Sequence, residues 1–470
     1  MHDSAPPLVR RRFLNWRNAR RSLLACLGLI TLVVAFYVVE GWRGRRAWAE
    51  VEELARNRGE SLTLADFVSP SVPDADNFAT APIVSAMCSS DEKIATAASE
   101  RLRLVTAGGG VPKERVDGDL AKARTLGAWR ALLGTEDLLA HLDRYASVLD
   151  EIAVAARRPS SRYSPRLGRV SWLFRATQLL RLRAEARMER GQASGAADDL
   201  VTILGLARGI SAESGLLDQL VAAAITERGV QVLRTGYVTG IWSKTELLAL
   251  DENLARLDLV GGGWRSFRLE LAFGTAAIRQ VIEQPNGAVS NQVYGDHQSF
   301  SAKLLLRACP SGWFFQQLAS DTLVYLDEFL PAYDAKTRRV NYAPLPAWKE
   351  RLKYPPLRRV FSPMRLPDVA IFYDQFVAGQ TRVDLARTAI ALDLWRREHG
   401  AYPESLAELP GAAQGVGSLH DLVTGEPFHY RKTGATFLLY ATGPDGIDNG
   451  GGLGTGGDGR PKSGGDDWVW

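Results

Sequence analysis

VSWLFRATQLLRLRAEARMERGQASGAADDLVTILGLARGI, residues Val170 to Ile210, reads as two helices joined at a glycine. The first is predicted over Val170–Arg190 and the second over Ala193–Ile210, with Gly191 in the turn between them. The same helical spacing extends outward in both directions. Upstream, Glu136 to Arg157 places Leu138, Leu139, Leu142, Tyr145, Leu149, Ile152 and Ala156 on one face. Downstream, Gly215 to Leu233 is another apolar helix, and residues 264–283 and 313–330 suggest two more. The expected fold is therefore mainly α: a large, irregular helical region exported from the cytoplasm, spanning residues 43–367.

Composition fits a globular protein with a sizeable core. The 470 residues are 46% hydrophobic and 23% charged. The net charge is only +4, and six arginines against one aspartate in the first 21 residues supply much of it. The remainder is near neutral, so no nucleic-acid partner is expected. Within the helical hairpin, Leu180, Ala184, Gly191, Ala196, Leu200 and Ile203 resemble the small-and-large spacing of a tetratricopeptide repeat. The alternative is an ordinary antiparallel pair with small residues where the helices approach. The second reading is favoured, because no further copy follows and a solenoid needs about three.

SLLACLGLITLVVAFYVV, from Ser22 to Val39, carries no charge. At ~1.5 Å per residue it reaches ~27 Å, close to the hydrocarbon thickness of a bilayer. Trp16 precedes it, and Tyr37 and Trp42 mark its far end, as interfacial anchors do. Arg10, Arg11, Arg12, Arg17, Arg20 and Arg21 lie before the span and Arg43, Arg45 and Arg46 after it. That bias predicts a basic cytoplasmic tail (residues 1–21), a transmembrane helix (22–39) and the bulk outside a bacterial inner membrane, in the periplasm. A removed signal is the rival. Arg10 to Leu14 resembles the core of a twin-arginine signal, and Ala47-Trp48-Ala49 resembles a signal-peptidase site, with cleavage after Ala49. Either outcome exports residues 50–470. In that compartment Cys88 and Cys309 have the alternatives of a disulfide or two buried thiols, while Cys26 lies in the span.

Three stretches lack helical periodicity, Pro285 to His297 being one. Leu62 to Ala81, interrupted by Pro70 and Pro73, reads as a loop on the surface. Pro331 to Pro367 is proline-rich and basic, and reads as a long loop over the helices. Asp198-Asp199 and Glu52-Glu53 read as solvated helix faces.

After Pro367 the character changes. Asp368 to Glu398 is one long predicted helix, ended by Gly400 and followed by Pro403. Two strands are predicted, Pro427–Lys432 and Thr436–Ala441, with Gly434 in the turn. A glycine-rich acidic tail closes the sequence. This order resembles the globular part of type II secretion major pseudopilins. Gly400, Tyr402, Pro403, Gly425, Pro427, Tyr430, Leu439, Tyr440, Gly443, Asp445 and Gly446 carry the resemblance, which covers the last fifth of the chain. It implies a small α+β module over residues 368–470. Pseudopilins place their membrane helix directly before this part, with a prepilin cleavage motif ahead of it; here the helical region intervenes and no such motif precedes Ser22. A shared module is implied, not a pilin subunit.

The resemblance further implies a calcium site in the terminal loop, carried over onto Asp445, Asp466 and Asp467. Chemistry supports it independently. Calcium takes six to eight oxygens in flexible geometry, and Asp448, Asn449 and Asp458 add side-chain oxygen beside glycine backbone. The expected metal set is Asp445, Asp448, Asp466 and Asp467. The plain alternative is a disordered polar tail with Trp468 and Trp470 docked back on the module. An EF-hand reading of Asp445–Gly450 fails, because Ile447 and Gly456 stand where oxygen ligands are required. For catalysis the signals are thin. Six histidines occur, without an HExxH or GxSxG motif. The leading expectation is a membrane-anchored, non-enzymatic envelope protein with a protein-interaction or structural role and an envelope protein partner. The rival is a metal-dependent hydrolase using the C-terminal carboxylates with His420 or His429.

Overall fold

The computed structural model describes residues 16–67, 72–104, 125–162, 171–211, 215–283, 309–343, 369–410, 419–451 and 467–470. Its longer helices, in chain order, are α1 (Trp16–Asn57), α2 (Ala146–Ala156), α3 (Ser171–Glu189), α4 (Ala193–Ser211), α5 (Leu216–Val238), α6 (Lys244–Ala255), α7 (Leu259–Glu283), α8 (Ser311–Val324) and α9 (Val369–His399). A two-stranded hairpin pairs β1 (Tyr333–Asp334) with β2 (Arg339–Val340). A three-stranded antiparallel sheet has the order β3 (His429–Thr433), β4 (Thr436–Ala441), β5 (Trp468–Val469). The protein is mainly helical, as expected. The described residues fall into two compact units: residues 16–62, 274–283 and 309–324 form the first, and the rest form the second.

In the first unit, α1 is continuous through the apolar span and the charged stretch that follows it. Ala19–Asn57 is long and apolar enough to cross a membrane, and its most apolar window is wholly unburied. Beyond the span the helix acquires a buried face. Trp48, Val51 and Ala55 are buried, and α1 packs along α8. The crossing is backbone on backbone. A Cβ added to Gly312 would lie 1.8 Å from the Glu40 carbonyl oxygen, and one on Gly44 would lie 2.2 Å from the Gly312 carbonyl oxygen. Beside this contact the Glu40 carboxylate is 3% exposed. It accepts hydrogen bonds from Trp313 Nε1 (3.0 Å) and Gln316 Nε2 (3.1 Å) and pairs with Arg43 (3.2 Å).

The second unit grows from the α3–α4 hairpin. Gly191 turns the chain at φ +71°, a conformation in which a Cβ would be strained. Asp199 on α4 is buried rather than solvated, which corrects the expectation for Asp198-Asp199. Arg183 holds it through Nε (3.0 Å) and Nη2 (2.6 Å), and Arg187 adds a third contact at 2.8 Å. The pair of arginines on α3 thus fastens α4 where both helices are surrounded by Leu, Ile and Ala side chains. Burial pushes the Asp199 carboxyl up, and the guanidiniums pull it back. Helix α5 lies against both, and α6 and α9 complete the layer.

Three local expectations change. Glu136–Arg157 is broken into Leu138–Leu142, a 3-10 turn at Asp143–Tyr145, and α2. The Leu62–Ala81 stretch is not a surface loop throughout. Phe78 is 1% exposed and sits against Gly209 of α4, where a Cβ would meet its ring at 2.7 Å. The start of the Pro331–Pro367 stretch forms the β1–β2 hairpin; residues 285–297 and 344–367 lie outside the described residues. That hairpin is placed by the contact of Tyr333 with Trp264 of α7 (5.1 Å) and by Arg338 pairing with buried Asp384 of α9 (2.8 Å). Cys26, Cys88 and Cys309 are free thiols, Cys26 exposed and the other two half-buried.

Helix α9 is buried on two faces. Val383, Ala386 and Ile390 join the main helical core. Leu385, Ala389 and Leu392 pack under Tyr402, Phe428, Leu439 and Ala441 of the small sheet and its approaches.

Two stability outcomes follow. Gly312→Ala forces the α1–α8 backbones apart and should destabilise their packing by about 1–3 kcal/mol. Gly41→Ala, whose Cβ would meet only the Arg45 side chain at 3.5 Å, should be tolerated. Thermal unfolding in detergent compares the two, and equal midpoints would refute the close-contact account. Asp199→Ala leaves Arg183 buried without its counter-ion and should cost about 3–5 kcal/mol, read as a lowered urea midpoint by circular dichroism.

Candidate functional site

The C-terminal sheet is fastened at its base by Asp421, which is fully buried. Its Oδ1 accepts from the amides of Val423 (2.7 Å) and Thr424 (3.3 Å), and its Oδ2 accepts from the Thr442 amide (2.7 Å) and hydroxyl (2.5 Å). One carboxylate therefore satisfies four donors and ties the Asp421–Glu426 turn to the end of β4. Gly425 closes that turn at φ +77°. The sequence signal was present: Asp followed by Thr-Gly is turn chemistry, in which the side chain caps the amides two and three residues on.

From Thr442 the chain enters the acidic loop. Asp445 is exposed and accepts from the Ile447 amide at 3.0 Å, which shapes a local turn. Asp448 does more. Its Oδ1 accepts from the Gly450 amide (2.8 Å) and the Tyr440 hydroxyl (2.9 Å), and its Oδ2 lies 3.4 Å from His429 Nδ1. His429 in turn stacks on Tyr440, with centroids 4.7 Å apart and the planes 8° from parallel. The Gly450 amide first, then the Tyr440 hydroxyl, hold the Asp448 carboxyl below the usual carboxylate range. Burial first, then the Asp448 carboxylate, push the Tyr440 phenol up to about 12.

Asp467 reaches the same turn from the other side. It is 5% exposed, and its Oδ2 accepts from the amides of Asn449 (3.0 Å) and Gly451 (2.9 Å). Its Oδ1 is buried without a hydrogen-bond partner among the described residues. Gly450 and Gly451 have φ of +74° and +71°, so the turn that presents these amides needs glycine at both positions. The next residues form β5: Tyr440 pairs with Val469 and Ala441 with Trp468. Trp470 donates its amide to the Leu439 carbonyl (3.0 Å) and sets its ring edge-on to Tyr237 of α5. Both tryptophans are therefore docked on the module.

Of the expected metal residues, Asp448 and Asp467 are brought to one turn. Asp445 governs the neighbouring turn, and Asp466, like Asp458, lies outside the described residues. A buried carboxylate oxygen without a donor is costly unless a cation or other partner meets it. The donor set is all oxygen, which suits a hard cation such as calcium. The histidines are divided. His429 belongs to the Asp448 turn, whereas His420 lines an open cleft of about 1000 Å³ between the β1–β2 hairpin and the Asp421 turn, with Asp334, Glu426 and Asp445. Among the described residues, no three His, Cys, Asp or Glu side chains converge as a ready-made metal cluster. His420 thus shares its cleft with Asp445, while His429 lies against Asp448.

The depressed Asp448 carboxyl sets a pH dependence. Its folded value lies below its unfolded one, so its contribution is fully present above about 3.9. It is lost as pH falls through the folded value. Protection of the Gly450 amide against hydrogen exchange should fall over that acidic window. Asp448→Asn should already lack the charge-dependent part at pH 6, and unchanged protection on acidification would refute the assignment. Comparison of the chain with protein families, with curated proteins and with solved structures returns no match.

Proposed function

We propose that this chain is a single-pass protein of the bacterial inner membrane, its N-terminus cytoplasmic and its bulk periplasmic. It acts without catalysis, as an interaction or structural element associated with type II secretion-like machinery, and a calcium ion stabilises its C-terminal loop. The observation that carries the calcium reading is Asp467. It is buried, one of its oxygens holds the Asn449 and Gly451 amides, and the other lacks a protein donor among the described residues. The structural role is supported by how charge is used. Asp199, Asp384, Asp393 and Asp421 are buried and engaged by arginine, amide or hydroxyl donors that fasten one element to another or shape a turn or helix end. Helix α9 also differs from an assembly helix, because both its faces are already covered within this chain.

Calcium should raise the midpoint of thermal unfolding and a chelator should reverse the rise. At one hundred times the dissociation constant the linkage is about 2.7 kcal/mol. Asp467→Asn keeps the shape and removes the charge, and should abolish the response. An intact protein whose melting ignores calcium overturns the calcium reading. Cross-linking in native membranes that recovers no stable protein partner overturns the interaction reading.

A further inference from the structure

The geometry points to a recognition collar for anionic phospholipid headgroups at the outer end of α1, built from Trp42, Arg45 and Arg46. The inference rests on the reading that residues 22–39 span a bilayer. Trp42 is 56% exposed, directly above the exposed apolar side chains of the span. Residues 42, 45 and 46 stand three and four apart and therefore share one helix face. Helical side chains lean toward the N-terminus, which here is toward the membrane. The arginines do so. The Arg46 guanidinium lies 5.6 Å from the centroid of the Trp42 ring. The Arg45 guanidinium lies beside Gly41, 3.5 Å from where a Cβ would stand.

Depth selects the ligand. Gly41 and Trp42 are two and three residues past Val39, about 3–5 Å along the axis. The headgroup layer occupies about 5–7 Å on each side of the hydrocarbon. Both guanidiniums thus sit at the level of lipid phosphates, next to a tryptophan of the kind that favours this interface. Charge is available there. Arg43 is engaged by buried Glu40, but Arg45 has no acidic partner among the described residues. The Arg46–Glu50 pair is 3.0 Å long with both side chains largely exposed, so a phosphate displaces it at little cost. A zwitterionic headgroup brings its own cation into this field, whereas phosphatidylglycerol does not.

The test uses the full chain in vesicles and nanodiscs. Flotation with phosphatidylcholine vesicles comes first. A chain that does not float with them overturns the spanning reading, and the collar with it. Native mass spectrometry of chain released from mixed phosphatidylcholine–phosphatidylglycerol nanodiscs then reports the lipids retained. The expected result is enrichment of phosphatidylglycerol over its mole fraction, by about fivefold for each arginine engaged. In the Arg45→Gln, Arg46→Gln double variant the enrichment from this face should disappear, although the arginines before the span remain. A chain that floats but retains lipids at their mole fraction, or a double variant that keeps the full preference, overturns the collar alone.

Discussion

Burial of α9 on two opposite faces is the constraint on which the second unit depends. A helix with one buried stripe can be added to or removed from a fold. Val383, Ala386 and Ile390 close the core that α3, α4, α5 and α6 begin, while Leu385, Ala389 and Leu392 form the floor of the small sheet. Neither layer has its own substitute for this wall. Apolar residues on both faces hold it inside the protein. Several of its polar groups are tied down: Asp384 to Arg338 and Gln380, Arg387 to Asp251, and Asp393 to Arg396 and Arg397.

These contacts also show what buried charge does here. Asp199 joins two helices of a hairpin, and Asp421 joins a turn to a strand end. Each acid meets donors in number, so the cost of removing it from water is offset by directed bonds. The bonds fix register where the surrounding Leu, Ile and Ala side chains would tolerate sliding. Asp467 departs from this pattern, since only one of its oxygens is matched.

Much of the local structure was legible in the sequence. Gly191 between two apolar repeats announced the α3–α4 turn, and Gly434 between two alternating runs announced the β3–β4 hairpin, because periodicity and turn chemistry are local properties. Distant partners were not legible. Nothing beside Asp199 signals that Arg183 will cover it, and nothing in Leu62–Ala81 reveals that Gly209 leaves room for Phe78. The short strands β1, β2 and β5 have two residues each, too few to show alternation. Of the candidate site, composition located the loop, but bringing Asp448 and Asp467 to one turn required the terminal strand to fold back.

The backbone contact between Gly44 and Gly312 has a consequence for biogenesis. The two glycines are separated by most of the helical region, so α1 emerges long before the segment that covers its Glu40–Gly44 face exists. Until that segment is made, the face, with a carboxylate beside an apolar stretch, has no counterpart. The order of synthesis therefore runs against the order of assembly: α1, made well before α8, is sealed only once α8 exists.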